Sequence, residues 1–183
     1  MTANTCEHNL LFELDNRPAS QVLAELYHSL SETDQARMRD SLLLGIASTE
    51  IKDLSEHHEF IMRNIVQMDH EKGVLAIGDA LRSGQTVQFH LRDTEAANEE
   101  LDLLLKEYST HSSSPRGALL FTCTGRGQHL FSEPNYESNA FFDRVGHIPL
   151  TGFFCSGEIG PVGHSTHLHG YTSSFGLFRP ARQ

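Results

Sequence analysis

The chain has 183 residues, with 14 Lys or Arg against 24 Asp or Glu, so its formal net charge is −10 with neutral histidine. Hydrophobic residues make up 38 % of the sequence, enough for one sizeable core, which excludes a disordered chain or a coiled coil. The basic residues are scattered, which argues against binding to nucleic acid. No stretch is long and apolar enough for a membrane span, and the first residues do not resemble a secretory signal, so the sequence predicts a cytoplasmic protein.

Short strands and two helices are predicted in the first half of the chain. Residues 1–9 are expected to be a flexible segment ahead of a domain that covers residues 10–180. Apolar residues recur at helical spacing after Pro18, and Ser31 has the sequence context of the N-cap of a second helix. The strands predicted in this half are 10–14, 42–47, 60–68, 74–77 and 86–91, with a loop over 51–59.

The second half begins with the most regular helical pattern, which starts at Asp93 or Thr94. Asn135 is predicted to open a shorter helix. Because helices and strands do not alternate along the chain, the sequence predicts an α+β fold, a single domain with a mixed or mainly antiparallel sheet packed against a few helices. The helix that starts at Asp93 or Thr94 carries an apolar stripe of Ala97, Leu101, Leu104, Leu105 and Tyr108. The predicted strands are 118–123, 150–155 and 168–178, with a connector at 111–115.

Two glycine-rich stretches follow predicted buried strands and contain candidate functional residues. Cys123 ends one strand and precedes Gly125-Arg126-Gly127, where glycine permits positive φ and the close approach of a ligand. Glu158 stands alone among glycines, where it can accept hydrogen bonds from an ammonium group or act as a general base. Each stretch also has a simpler interpretation, as an inert buried cysteine or as a carboxylate bonded to its own turn.

Candidate polar residues also occur in and beside the predicted strands of the first half. Gln88 and His90 share the polar face of an alternating strand. Arg92 can hold a carboxylate through two parallel hydrogen bonds, or it can simply pair with Asp93. Arg63 lies alone in an apolar strand and has the same two interpretations.

Cysteines and histidines allow two further interpretations. Cys6, Cys123 and Cys155 are odd in number and far apart, so the sequence predicts neither a disulfide framework nor a zinc ribbon. Three histidines near residue 167 resemble metal ligands, but neither an HxxxH motif nor an acidic triad accompanies them, and no metal or other cofactor is predicted. Cys123 or Cys155 can also serve as a thiol nucleophile, supported by His169 and Glu158.

Several stretches resemble the C-terminal domain of the FIST family, the F-box and intracellular signal transduction proteins. These stretches are LFELDNRPASQVL, FIMRNIVQMDHEKGVLAIGDALRSGQTVQFHLRD, GALLFTCTGRG, PLTGFFCSGEIGPVG and HLHGYTSSFGLF. The resemblance implies a sensory module that binds a small ligand, with amino acids the usual suggestion, and that works with an N-terminal FIST domain or a signalling output protein. The ligand-binding residues expected on this basis are Arg63, Gln88, His90, Arg92, Cys123, Arg126, Gly127, Glu158, His169 and Thr172.

The leading hypothesis is therefore a small-ligand sensor, in which Arg92 or Arg126 binds a carboxylate and Glu158 binds an ammonium group. F-box relatives suggest an alternative, a protein-interaction domain without a ligand. A Cys/His/Glu-dependent enzyme is a third hypothesis, and the sequence favours a protein that is not an enzyme.

Overall fold

The computed structural model describes residues 1–48, 60–111, 115–162 and 164–180. These residues form five helices and twelve strands whose pairing is mainly antiparallel, which confirms the predicted α+β class. The chain divides into two compact units: unit 1 comprises Met1–Arg92 with Val162–Ser165, and unit 2 comprises Asp93–Pro161 with Thr166–Gln183. The predicted loop over 51–59 and residues 112–114 of the predicted connector lie outside the described residues.

Unit 1 is built on one antiparallel sheet with two helices. Its elements are β1 (Ala3–Glu7), β2 (Leu10–Leu14), β3 (Arg17–Pro18), α1 (Ala19–Ser29), α2 (Glu32–Ser41), β4 (Leu42–Ala47), β5 (Phe60–Asp69), β6 (Val74–Ile77) and β7 (Val87–Leu91). The strand order is β1-β2-β6-β5-β4-β7, and β3 pairs with β2. The side chain of Ser31 accepts a hydrogen bond from the Asp34 N–H at 3.2 Å, which confirms the predicted cap of α2.

The start of the chain differs from the sequence prediction. Residues 1–9 are not a flexible segment, because β1 pairs antiparallel with β2. Ala3 is completely buried and belongs to the core of unit 1, which includes Leu14 and Leu44. Strand pairing and the burial of a small residue therefore order a segment whose own sequence carries little apolar pattern.

Unit 2 contains a three-stranded mixed sheet, a two-stranded sheet and three helices. Its elements are α3 (Thr94–His111), β8 (Gly117–Cys123), α4 (Gly127–Phe131), α5 (Tyr136–Val145), β9 (Leu150–Cys155), β10 (Glu158–Val162), β11 (Ser165–His169) and β12 (Ser173–Phe178). Val162 at the end of β10 and Ser165 at the start of β11 are assigned to unit 1. Strand β8 lies between β12, which is antiparallel to it, and β9, which is parallel to it. Strands β10 and β11 form the two-stranded sheet. Within the described ranges, no helix has the length and apolarity needed to span a bilayer.

The core of unit 2 lies between α3, α5 and one face of the mixed sheet. Phe141 is completely buried, and its ring stacks on that of Phe175 with centroids 5.5 Å apart. Leu101 and Leu105 of α3 belong to this core. Leu104, which the sequence placed on the same apolar stripe, is instead 50 % exposed, because the buried face of α3 follows the i, i+4 pair of Leu101 and Leu105.

The predicted strand over 168–178 is two strands in the structure. Strand β11 ends at His169, and β12 begins at Ser173. Tyr171 between them has φ +59°, a left-handed conformation that interrupts a strand. This turn brings the start of β12 next to the end of β8, since Ser173 is opposite Thr122 in the sheet.

Candidate functional site

A buried ion pair between Arg126 and Glu137 forms the centre of the candidate site. Arg126 Nε donates to Glu137 Oε1 at 2.6 Å, and Nη1 donates to the carbonyl oxygen of Tyr171 at 3.1 Å. The hydroxyl of Thr122 donates to Glu137 Oε2 at 2.5 Å, and the hydroxyl of Ser173 donates to Oε1. Arg126 and Glu137 are only 7 % and 5 % exposed, so each charge depends on the other for its stabilisation.

Four elements position this ion pair. Thr122 and Ser173 are neighbours in the sheet, on β8 and β12, while Glu137 lies in the first turn of α5. Arg126 directly precedes α4, and its guanidinium carbon is 5.1 Å from the centroid of the Phe131 ring. The guanidinium is therefore held by a carboxylate, a backbone carbonyl and an aromatic face.

Gly127 is required where α4 begins. It has φ +57°, and a Cβ atom added there would lie 3.0 Å from the ring of Phe154. The positive φ is the conformation for which the sequence singled out this glycine, and the close neighbour in the structure is the ring of Phe154.

A cavity of about 960 Å³ lies beside the ion pair in unit 2. Its size is at the upper end of the range of about 300–1,000 Å³ that is usual for small-molecule sites. Arg126 and Glu137 both line it, and so do Phe131 and Tyr136, whose rings stack with centroids 4.4 Å apart. Hydrogen-bonding side chains complete the lining, among them Thr124, Gln128, Asn135, Ser138 and Asn139. The cavity thus combines aromatic surface with many hydrogen-bonding side chains.

A second group of side chains, here called the thiol cluster, consists of Cys123, Cys155, Glu158 and Thr172. Cys123 and Cys155 are directly opposite each other in the parallel register of β8 and β9. The Cys155 thiol donates to Glu158 Oε1 at 3.2 Å, and the Thr172 N–H donates to Oε2 at 3.4 Å. Glu158 is 1 % exposed, so its carboxylate is satisfied by the cluster rather than by water.

Burial and the hydrogen bond to Glu158 raise the pKa of the Cys155 thiol. A raised pKa keeps the thiol protonated, whereas a catalytic cysteine nucleophile needs a depressed pKa. His169 Nε2 forms a hydrogen bond with the carbonyl oxygen of Gly160 at 3.0 Å. The geometry therefore does not favour the Cys/His/Glu enzyme hypothesis.

We expect Glu158→Gln to lower the pKa of the Cys155 thiol and to speed its alkylation by iodoacetamide several-fold at neutral pH. The carboxylate stabilises the neutral thiol by accepting its hydrogen bond, and its negative charge opposes thiolate formation. Mass spectrometry of the alkylated peptides measures this rate separately for each cysteine. Glu133→Gln, at an exposed glutamate, is the control. An unchanged rate at Cys155 in folded Glu158→Gln protein would contradict the assignment.

The predicted ligand residues are divided between the two units. Those in unit 1 are Arg63, Gln88, His90 and Arg92; those in unit 2 are Cys123, Arg126, Gly127, Glu158, His169 and Thr172. Of the second group, Arg126 and Gly127 line the large cavity, while Cys123, Glu158 and Thr172 form the thiol cluster with Cys155.

In unit 1 the predicted residues have separate surroundings. Arg63 Nε donates to Asp79 Oδ2 at 2.6 Å, so this arginine forms an ion pair. Gln88 lines a smaller cavity of about 510 Å³ within unit 1. The ring of His90 lies against the position where a side chain on Gly45 would project, 2.6 Å from its ideal Cβ. The backbone N–H of Arg92 donates to the carbonyl oxygen of Ser41, the last residue of α2, at 3.0 Å.

Sequence reasoning missed Glu137, Ser173 and the carbonyl of Tyr171. The burial of Glu137 could have been inferred from the sequence, because Glu137 lies four residues before Phe141 and therefore on the face of α5 that packs against the core. An acid on an apolar helix face requires a buried cation, and Arg126 is that cation. The contribution of Tyr171 had no such signal, since any residue can supply a carbonyl group.

The histidines near residue 167 do not form a metal site in the structure. The rings of His167 and His169 have centroids 6.3 Å apart, nearly perpendicular to each other. Across residues 1–48, 60–111, 115–162 and 164–180, no group of three or more His, Cys, Asp and Glu side chains is arranged to hold a metal ion.

Sequence comparison identifies the class of domain to which this fold and cavity belong. A family model described as the FIST C domain matches residues 19–161. Uncharacterized protein Rv0628c of Mycobacterium tuberculosis (strain ATCC 25618 / H37Rv) is 35 % identical over 170 residues, which are 92 % of this chain and 44 % of that protein. Uncharacterized protein Mb0898c of Mycobacterium bovis (strain ATCC BAA-935 / AF2122/97) gives the same identity and coverage.

A plant protein also matches part of the chain. F-box/LRR-repeat protein At5g63520 of Arabidopsis thaliana is 30 % identical over 95 residues, which are 49 % of this chain and 18 % of that protein. No solved structure matches the chain. The chain belongs to the FIST C domain family, as its sequence motifs indicated, and this membership implies a role in signal transduction. It spans less than half the length of the mycobacterial relatives.

Proposed function

We propose that this chain is an intracellular sensory module of signal transduction that binds a small ligand, an amino acid or a related metabolite, in the cavity of unit 2. The observation that carries the proposal is the buried Arg126–Glu137 ion pair in the wall of a cavity of about 960 Å³. Ligand sites hold their ligand between apolar surface and fixed polar groups that give orientation, and this cavity offers aromatic rings together with many hydrogen-bonding side chains.

The charges of the cavity suggest how an amino acid would be oriented. Arg126 has five N–H donors, and the bonds to Glu137 and Tyr171 use two of them. We assign the ligand carboxylate to this guanidinium. The ammonium group is assigned to Glu137 rather than to Glu158, because Glu137 lines the cavity and Glu158 is bonded within the thiol cluster. All ten ligand residues that the sequence predicts, in both units, remain predictions.

The proposal includes a location and a partner. All three cysteines are free thiols, which suits the reducing cytoplasm. The mycobacterial relatives are more than twice as long as the matched region, since it covers 44 % of their length. We therefore propose that the module acts together with an N-terminal FIST domain or a signalling output protein.

Thermal unfolding of the purified chain in the presence of free amino acids tests the proposal. A ligand that binds only the folded protein at one hundred times its Kd adds about 2.7 kcal/mol of stability, so a clear rise in Tm is expected for one class of amino acid. Derivatives of the amino acid that raises the Tm then test its proposed contacts with Arg126 and Glu137. The amide of that amino acid loses the contact with Arg126, and the N-acetyl derivative loses the contact with Glu137, so both should give a smaller shift.

Two tryptophan substitutions on α5 localise the binding site. Asn139 lines the cavity, whereas Asp143 lies one turn further along the same helix and is exposed. Asn139→Trp should fill the cavity and abolish the ligand-induced rise in Tm, and Asp143→Trp should retain it. A shift that survives Asn139→Trp would place the ligand elsewhere, and the absence of any shift would overturn the proposal.

A protein-interaction domain is the second candidate. Phe153 and Phe154 of β9 are 63 % and 58 % exposed, and Ile159 and Leu168 of the two-stranded sheet are more than half exposed. Large exposed apolar side chains on neighbouring elements are typical of interaction surfaces. The plant relative carries F-box/LRR-repeat in its name. This candidate predicts no shift in Tm with any small molecule in the panel.

A further inference from the structure

Cys123 and Cys155 are placed so that a disulfide can join them. They are direct partners in the parallel register of β8 and β9, and partners in a parallel pair extend their side chains from the same face of the sheet. Adjacent strands are about 4.8 Å apart. Disulfides join Cα atoms that are about 4.4–6.8 Å apart, so bridging these two residues requires no large movement of the backbone.

The two thiols differ in their access to solvent. Cys155 is partly exposed, whereas Cys123 is buried. The thiol proton of Cys155 lies in a hydrogen bond to Glu158 Oε1. Cys155 can therefore meet a small oxidant first, and Cys123 lies behind it as the second thiol.

The pair is distinct from the ligand cavity. Thr122 and Phe154 line the cavity, and the next residue on each strand is one of the two cysteines. Neither Cys123 nor Cys155 lines the cavity itself. This chemistry is therefore independent of the proposed ligand.

We propose that Cys123 and Cys155 form a peroxide-reactive dithiol site, in which a small hydroperoxide oxidises Cys155 and Cys123 completes an intramolecular disulfide. The small fraction of Cys155 that is present as thiolate, its proton released to water, reacts: Cys155 Sγ attacks one peroxide oxygen and the O–O bond breaks. The leaving oxygen takes up a proton and departs as an alcohol, or as water from hydrogen peroxide. Cys155 is then a sulfenic acid. Cys123 Sγ attacks Cys155 Sγ and releases water. In sum, two thiols lose two hydrogens and two electrons, and the peroxide is reduced.

Peptide mapping of the oxidised full chain tests this site. Reduced protein is treated with hydrogen peroxide, its remaining thiols are blocked under denaturing conditions, and the protein is digested with trypsin. Cleavage after Arg126 and Arg144 places Cys123 and Cys155 on different peptides. We expect the dominant product to be these two peptides joined, with two hydrogens lost, and their separation on reduction by dithiothreitol.

Cysteine variants provide the controls. Cys6→Ser, in unit 1, should form the same cross-link, whereas Cys155→Ser should leave Cys123 as a free thiol. If Cys155 is oxidised to a sulfinic acid while Cys123 stays free, or if the main cross-links involve Cys6, the proposal is wrong. Mapping of the unsubstituted chain decides this even if a variant fails to fold. Ligand-induced shifts in the Tm of the reduced protein are a separate measurement, so the proposed ligand site and the proposed dithiol site can fail independently.

Discussion

Glu137→Ala is expected to lower the free energy of unfolding by about 3–5 kcal/mol, the usual cost of removing one partner from a buried ion pair. The variant removes the carboxylate partner of Arg126, a residue that is only 7 % exposed in the parent protein. It also removes the acceptor for the hydroxyls of Thr122 and Ser173. Urea denaturation followed by circular dichroism measures the change.

Asp102→Ala is the matched control for this experiment. Arg144 Nε donates to Asp102 Oδ1 at 2.5 Å in the same unit, but both side chains are nearly half exposed. Ion pairs exposed to water contribute about 0–1 kcal/mol, so this variant should be close to the parent protein in stability. If the two variants lose similar amounts of free energy of unfolding, burial is not the reason that the Arg126–Glu137 pair stabilises the protein.

Gly152→Ala is expected to cost about 3 kcal/mol or more, above the usual range for an added methyl group in a well-packed region. A Cβ atom on Gly152 would overlap the van der Waals sphere of the Leu120 carbonyl oxygen and would lie 2.6 Å from its carbonyl carbon. These are backbone atoms of the neighbouring strand, so β9 must move away from β8. Since Gly152 also lines the cavity, ligand binding should be lost together with stability.

Gly176→Ala tests the specificity of that effect. Gly176 lies on the opposite neighbour of β8, where an added Cβ would be 3.7 Å from the Cβ of Leu119, an ordinary contact. We expect Gly176→Ala to change the free energy of unfolding by less than about 1 kcal/mol. Comparable losses at both glycines would show that the close approach of β9 to β8 is not the cause.

Local patterns predicted much of the fold. The apolar run of β4, the turn between β5 and β6 and the Ser31 cap of α2 are each encoded within a few residues, and each was predicted correctly. Strand β1 was missed because its order depends on pairing with β2. Helix α4 was missed because five residues are too few to show a helical period.

The candidate site was less predictable than the fold. Arg126 and Gly127 could be selected from the sequence, because an arginine between two glycines after a strand is unusual. Its partner Glu137 lies 11 residues further on, in another element, and sequence alone does not show which acid meets which base. Ser173 depends on β12 pairing with β8, a contact between distant parts of the chain.

The hydrogen bond from Ser173 to Glu137 has a consequence for biosynthesis. Ser173 follows Glu137 by 36 residues, so at about 5–20 residues per second the ribosome needs roughly 2–7 s to add it. During that interval Arg126 and Glu137 already exist, but the hydroxyl and the Tyr171 carbonyl that complete their hydrogen bonding do not. The polar centre of unit 2 is therefore among the last features of the unit to form on a growing chain.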